Sequence, residues 1–175
     1  MNPQKPPFNI LFLCTGNSAR SILAEYLLRK IAPEKFSVHS AGASPKSAPH
    51  SMALEVLREA FKIDASSARS KSWDEFKDVG LDFVITLCDS AKETCPVWPG
   101  QPIVAHWGSP DPAAFEGDKQ EVRHAFWQVA QQINRRLELF ASLPFEKLDE
   151  LRLELAMRQI GEKEQISLPL SVSEK

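Results

Sequence analysis

The sequence predicts an α/β protein: a three-layer sandwich of a four-stranded parallel sheet with helices on both faces, plus a C-terminal helical extension. Two observations carry this. Short apolar runs such as Ile10-Leu11-Phe12-Leu13 and Phe83-Val84-Ile85-Thr86-Leu87 do not alternate with polar residues, so they suit strands covered on both faces. Between such runs stand longer segments with apolar residues at helical spacing, the crossovers that parallel strands need. A chain of 175 residues is long enough for one domain with a good core and too short for two ordinary ones. Residues 1–140 are expected to hold the sheet and its helices. Residues 141–175 are expected to form the extension, either packed on the same domain or frayed.

Asn9–Leu13 reads as the first strand. Ser21–Ile31 reads as a helix, with Ile22, Leu23, Tyr26, Leu27 and Ile31 recurring at helical spacing and Pro33 stopping it. Phe36–Ala41 reads as the second strand, ended by Gly42 and followed by a loop from Ser44 to Pro49. His50–Phe61 is a predicted helix with Met52, Val56, Leu57 and Phe61 on one face. Ser72–Asp78 reads as a short helix opened by a Ser72–Glu75 capping box. Phe83–Leu87 is the third strand and Ile103–Ala105 the fourth, and Cys88 to Gly100 reads as a loop. A further loop, Gly108 to Gly117, leads to a long helix over Glu121–Phe140 with Val122, Phe126, Val129, Ile133 and Leu137 as its stripe. Pro144 breaks it. A last helix is predicted over Phe145–Ile160, with Gly161 just past its end and a polar, frayed tail from Glu162.

The net charge of −2 gives no footing for binding nucleic acid or an anionic membrane. No apolar stretch reaches membrane-spanning length, and the N-terminal apolar run reads as a strand rather than a signal peptide. Three cysteines, an odd count without a secretory signal, point to a reducing cytoplasm and to reactive thiols.

The chemistry is concentrated in Cys14-Thr15-Gly16-Asn17-Ser18-Ala19-Arg20-Ser21, between the first strand and the first helix. Backbone N–H groups of such a loop, with a helix N-terminus behind them, create positive potential for a tetrahedral anion. Arg20 adds a fork that can hold two of its oxygens. The same field favours the thiolate of Cys14, a nucleophile. Ser21 is placed to hydrogen-bond that thiolate or to cap the helix. Ligands of parallel sheets bind beyond the C-terminal ends of strands, and both Cys14 and Cys88 fall there.

Cys88 and Cys95 flank a polar stretch, Asp89-Ser90-Ala91-Lys92-Glu93-Thr94. They read as a relay in which Cys88 attacks a Cys14 adduct and Cys95 resolves the resulting disulfide. Two other readings stay open: zinc ligands together with His106, at an unusual spacing, or inert core thiols. Flanking a polar loop, the pair is expected to be exposed. Asp111, between Pro110 and Pro112, reads as a turn residue that also has the chemistry to protonate a leaving oxygen. His106 and Trp107 read as packing, Ser40-Ala41-Gly42 as support for the loop, and His39, His50 and His124 as solvent-facing.

Together these residues resemble the arsenate reductases built on the low molecular weight protein tyrosine phosphatase fold. The resemblance rests on Cys14 through Ser21, Ala24-Glu25, Ser40-Ala41-Gly42, Thr86-Leu87-Cys88, Cys95-Pro96 and His106-Trp107-Gly108 leading to Asp111-Pro112, and it spans Asn9 to Leu139. Phosphatases of this fold share the loop and the Asp-Pro. The Cys88 and Cys95 pair with His-Trp-Gly resembles the thioredoxin-coupled reductases. Those phosphatases usually follow Asp-Pro with aromatic residues, where this chain has Ala113-Ala114.

The resemblance implies a low molecular weight phosphatase-like fold and reduction of arsenate to arsenite for arsenic detoxification. Arsenate would bind across Thr15, Gly16, Asn17, Ser18, Ala19, Arg20 and Ser21, with phosphate or sulfate competing. Cys14 would attack arsenic while Asp111 protonates the departing oxygen. Cys88 would then displace arsenite, and Cys95 would close a Cys88–Cys95 disulfide for an external reductant, thioredoxin or glutathione with glutaredoxin. That transfer requires the segment after the third strand to move. No bound cofactor and no metal are implied. Ala19 stands where some members carry another cysteine. Lys71 falls where potassium-binding members carry an acidic residue, with Asn17, Glu25 and Ser40 as the other ligands; its ammonium would replace the ion, pair with Glu25 and fix Asn17. Two rival functions remain: a phosphatase acting on phosphotyrosine or another phosphoester, which leaves Cys88 and Cys95 without a purpose, and a non-catalytic oxyanion or arsenite sensor, for which the chain shows no recognition helix.

Overall fold

The computed structural model describes residues 6–163, 165, 166 and 168. Four strands, β1 (Phe8–Cys14), β2 (Phe36–Gly42), β3 (Phe83–Thr86) and β4 (Ile103–His106), form one parallel sheet in the order β2-β1-β3-β4. Ile10, Leu11, Phe12 and Leu13 are all fully buried, which explains why β1 reads as a continuous apolar run: helices and loops cover both faces. Chain order reverses between β1 and β3, so the loops leaving these two strands diverge at a switch point and open a crevice there. Cys14 ends β1 and Cys88 lies two residues beyond β3.

Helix α1 (Arg20–Ile31) and helix α2 (Ser51–Phe61) pack on the long helix α4 (Lys119–Ala141). At the far end of the sheet Phe8, Phe36, Phe83, Phe140 and Phe145 form an aromatic cluster. Phe36 stacks on Phe140 at 5.1 Å, and Phe83 meets it edge-on at 5.5 Å, the arrangements that suit ring quadrupoles. Helix α5 (Glu150–Glu162) packs on β4 and α4.

Several boundaries differ from the sequence reading for local reasons. Helix α4 begins at Lys119 rather than Glu121 because Asp118 is its cap. Asp118 Oδ1 accepts from Glu121 N at 2.9 Å, and Glu121 Oε2 accepts from Asp118 N at 3.3 Å, a reciprocal capping box that sequence periodicity does not reveal. Helix α5 begins at Glu150, not Phe145, because Phe145 is drawn into the aromatic cluster and Asp149 caps the helix through Arg152 N at 2.8 Å. Gly161 lies inside α5 rather than past it, and the helix runs to Glu162. The rest of the tail expected to fray falls mostly outside the described residues. The Ser72 segment is a 3-10 turn, Trp73–Phe76, in which Glu75 holds Arg69 at 2.7 Å.

The stretch read as a loop after β3 contains a helix, α3 (Asp89–Thr94). Its cap is Cys88, whose Sγ accepts from Ala91 N at 3.4 Å. Cys88 is therefore buried rather than exposed, and Cys95, at the other end of α3, is half-buried. Two histidines expected in solvent are also partly covered. His50 caps α2 by accepting from Met52 N at 3.1 Å and packs on Phe126, while His39 lies against Phe76. His124 is exposed.

Candidate active site

The loop after β1 turns its carbonyls away from the crevice. Cys14 O, Thr15 O, Gly16 O and Ser18 O accept from the amides of Ala43, Ser44, Lys46 and His50, and Asn17 O accepts from Ser70 Oγ. In a trans peptide the N–H points opposite to the carbonyl of the same plane, so the amides of residues 15–19 are left facing the crevice. Asn17 has a φ of +45°, the left-handed kink that curls successive N–H groups into a nest for an anion. The loop lies so close to β2 that a Cβ on Gly42 would stand 2.5 Å from Thr15 O and 2.9 Å from Asn17 N. Only glycine permits this approach, and the supporting role read for the Ser40-Ala41-Gly42 segment has its geometry here.

Cys14 Sγ is buried and 2.9 Å from Ser21 Oγ. Ser21 in turn accepts from Asn17 Nδ2 at 2.7 Å, which leaves its own proton for the sulfur. Ser21 thus faces the Cys14 sulfur; it does not cap α1, whose N-cap residue is Ala19. Asn17 also donates to Ser40 Oγ at 3.0 Å and accepts from Lys71 N at 2.8 Å, and Ser40 donates to Glu25 Oε2 at 2.8 Å. Lys71 Nζ lies 3.3 Å from Ser40 Oγ and 3.7 Å from Glu25 Oε2. Asn17, Glu25, Ser40 and Lys71, four residues from four places in the sequence, are brought into one buried network under the loop. Burial lowers the Lys71 pKa from the ordinary lysine value, and the Glu25 carboxylate opposes that shift.

Above the loop is a cavity of about 310 Å³ lined by Cys14, Thr15, Gly16, Ser18, Ala19 and Arg20 on one side and by Ser44, Lys46, Asp111 and Ala113 on the other. Arg20 Nη2 is 3.7 Å from Asp111 Oδ2, and Arg20 Nη1 donates to Ser109 O at 3.1 Å. The other oxygen of Asp111 accepts from Ala113 N at 3.0 Å, so the turn holds the carboxyl at the cavity mouth. The cavity is thus bordered by the amide nest, the N-terminus of α1, Arg20 and Lys46.

A larger cavity, about 870 Å³, adjoins it at Arg20 and holds Cys88 and Cys95 in its wall with His106, Lys92 and Asp89. Thr15 Oγ1 lies 3.3 Å from Cys88 Sγ, so the second thiol contacts the residue that follows the first. Burial raises the Cys95 pKa from the ordinary thiol value, with Trp98 opposing it. His106 bridges β3 and α3, with Nδ1 2.8 Å from Thr86 Oγ1 and Nε2 3.1 Å from Asp89 Oδ1. Burial lowers the His106 pKa, and Asp89 opposes it. Trp107 is fully buried and donates from Nε1 to Met157 O at 2.8 Å, which is the packing role read for it. Among the described residues, no three His, Cys, Asp or Glu side chains cluster to hold a metal ion.

The sequence reading missed Lys46 and Ser109. Lys46 enters because its amide bonds Gly16 O at 2.9 Å, and Ser109 because its amide bonds Leu87 O at 3.0 Å. Both are long-range consequences of strand pairing, without a local motif.

A family model for low molecular weight phosphotyrosine protein phosphatase matches residues 9–152. An arsenate reductase from Oceanobacillus iheyensis is 40% identical over 134 residues, covering 75% of this chain and 94% of that protein. Among solved structures, an arsenate reductase in the phosphate binding state superposes with a TM-score of 0.63 at 32% identity, covering 75% of this chain and 94% of that one. A thioredoxin-dependent arsenate reductase from Corynebacterium glutamicum gives 0.56 at 29% identity, covering 77% of this chain and 64% of that one. On the sequence match across residues 9–152, with the sheet and loop it encloses, the chain belongs to the low molecular weight phosphotyrosine protein phosphatase family.

Proposed function

We propose that the protein reduces arsenate to arsenite with a relay of three thiols. The observation that carries this is the 3.3 Å contact between Thr15 Oγ1 and Cys88 Sγ, which sets a second thiol beside the nucleophile's loop. Phosphate-ester hydrolysis needs only Cys14, Arg20 and Asp111. The arsenate reductases among the relatives support the same reading.

Arsenate binds in the amide nest, held by the Arg20 fork. The Cys14 thiolate attacks arsenic, forming an S–As bond, and the arsenic–oxygen bond opposite breaks. Asp111 supplies the proton to the departing oxygen, which leaves as water. The Cys88 thiolate then attacks Cys14 Sγ. The S–S bond forms, and the electron pair of the broken S–As bond stays on arsenic, which leaves as arsenite. Cys95 attacks Cys88, releasing the Cys14 thiolate and leaving Cys88–Cys95 oxidised. Two electrons have passed from the thiols to arsenic, and an external dithiol must return them. A thioredoxin-like protein fits that need, as does glutathione with glutaredoxin.

Asn17, Glu25, Ser40 and Lys71 hold the loop in its anion-binding shape, the ammonium of Lys71 occupying the place of a cation. The site residues require no resident metal or cofactor. Among the described residues no helix is long and apolar enough to cross a membrane, and a thiol relay suits a reducing cytoplasm.

The test is arsenate-dependent NADPH consumption with thioredoxin and thioredoxin reductase, beside hydrolysis of p-nitrophenyl phosphate. Reduction with weak hydrolysis is expected. Hydrolysis without arsenate-dependent consumption by either reductant system returns the phosphatase reading, which the shared loop and Asp111 also support.

A further inference from the structure

We propose that helix α5 and the buried guanidinium of Arg136 form a strut that positions Arg20, so that the C-terminal helix sets how tightly the loop holds its oxyanion. The proposal rests on the reading of Arg20 as the anion-binding side chain. It concerns a part of the chain almost wholly beyond the family match, which ends at residue 152, three residues into α5.

Arg136 lies on α4 and is completely buried. Its fork spans two backbone segments. Nη2 donates to Gly161 O at 3.0 Å and Lys163 O at 3.2 Å, and Nε donates to Lys163 O at 3.3 Å. Nη1 donates to Gly108 O at 3.0 Å and Ser109 Oγ at 3.4 Å. The first set belongs to the C-terminal end of α5, where unsatisfied carbonyls and the helix dipole favour a cation. The second belongs to the segment whose next carbonyl, Ser109 O, accepts from Arg20 Nη1. One planar side chain therefore ties the end of the extension to the backbone that holds Arg20.

The other end of the strut is fixed as firmly. A Cβ on Gly161 would fall 2.4 Å from His106 O and 2.7 Å from Trp107 Cδ1, so α5 meets the end of β4 backbone to backbone. Trp107 Nε1 bonds Met157 O one turn earlier. Burying a guanidinium costs more desolvation than burying an apolar side chain of the same volume. What it supplies is a rigid, five-donor fork joining carbonyls on two segments. An anion held by a fork is sensitive to small displacements of that fork.

The experiment measures phosphate affinity by calorimetry and melting temperature together, on the full chain. Arg136→Lys keeps the charge but loses the fork, and is expected to weaken phosphate about fivefold, the worth of one hydrogen bond. Leu153→Ala loosens α5 at a buried position about two turns before Gly161; it is expected to lower the melting temperature at least as far while leaving phosphate affinity within about twofold. Gly161→Ala, which favours the helix but displaces its end from His106, is expected to weaken phosphate as Arg136→Lys does, and it answers alone if Arg136→Lys does not fold. Arg20→Lys is the reference and is expected to weaken phosphate more than either. Unchanged affinity in both strut variants beside a weakened Arg20→Lys overturns the strut. Equal loss in Leu153→Ala also overturns it, since general loosening then explains the effect. Unchanged affinity in Arg20→Lys overturns the reading of the loop itself, and the strut with it.

Discussion

Thr15 Oγ1 lies 3.3 Å from Cys88 Sγ, so the anion loop and the segment after β3 touch through a hydroxyl and a thiol. The same sulfur caps α3 through Ala91 N. Cys88 is therefore held on the loop side by Thr15 and on the helix side by the first turn of α3. In the proposed relay, its attack on Cys14 requires it to leave the cap but not to travel from a remote surface.

Thr15→Val should separate binding from transfer. Valine matches threonine in shape and replaces its hydroxyl with a methyl, while the proposed anion contacts come from backbone amides and Arg20. One neutral hydrogen bond is worth about 1 kcal/mol, so arsenite release in a single turnover should slow roughly fivefold with phosphate affinity nearly unchanged. Rapid-quench assay of arsenite beside phosphate calorimetry checks this; a fall in affinity with an unchanged release rate would show that Thr15 serves the anion instead.

Cys14→Ser should abolish both arsenate reduction and any phosphatase activity, because Ser21 and the amide nest have no other nucleophile to serve. Arg20→Lys keeps a positive charge at the cavity wall but loses the bidentate fork. A charge-assisted hydrogen bond is worth about 1.5–3 kcal/mol, so oxyanion affinity should fall on the order of tenfold to a hundredfold. Calorimetry with phosphate and steady-state assays with arsenate read both; an Arg20→Lys affinity equal to wild type would remove Arg20 from the site.

These residues were legible in the sequence because the loop is contiguous. Cys14, Asn17, Arg20 and Ser21 lie within eight consecutive positions between an apolar run and an amphipathic one. Asp111 between its two prolines reads only as a turn residue, and its place in the site comes from the family resemblance. Lys46 and Ser109 were not legible, since each reaches the site through a backbone bond to another strand's loop, Lys46 N to Gly16 O and Ser109 N to Leu87 O. Helix α3 was hidden because six residues make fewer than two turns and show no apolar period, and because its cap is a cysteine, outside the usual cap residues. Gly161 looked like a helix stop, the common reason for a glycine at that place; here the reason is the close approach to His106.

Potassium and sodium should be interchangeable for this protein. Lys71 Nζ sits 3.3 Å from Ser40 Oγ and 3.7 Å from Glu25 Oε2, two of the residues that the family resemblance implies as ion ligands, and in the proposed reading its ammonium takes the place of the ion. Lys71→Met removes the cation from a buried carboxylate and should cost about 3 kcal/mol of stability, a loss moderated by Arg29, whose Nη2 is 2.8 Å from Glu25 Oε1. Thermal unfolding and activity in matched potassium and sodium buffers check both statements. Clear potassium activation of the unaltered protein would show that Lys71 does not stand in for the ion.

The last thiol exchange should be the alkaline-dependent step. Burial raises the Cys95 pKa, and only the thiolate attacks. The thiolate fraction grows about tenfold per pH unit below the pKa. Conversion of a Cys14–Cys88 disulfide to Cys88–Cys95 should therefore accelerate from about pH 6 to about pH 9 without levelling at the ordinary thiol value, near 8.5. The Ser variants isolate the step. Cys95→Ser should release one arsenite per enzyme and stop as the Cys14–Cys88 disulfide at every pH, while Cys88→Ser should stop before arsenite leaves. Any phosphatase activity should survive both, because Cys14, Arg20 and Asp111 remain. Mass mapping of acid-quenched single turnovers follows the two disulfides directly. A flat pH profile would assign the slow proton elsewhere, and full steady-state reduction by either Ser variant would remove the relay and leave hydrolysis as the chemistry of the loop.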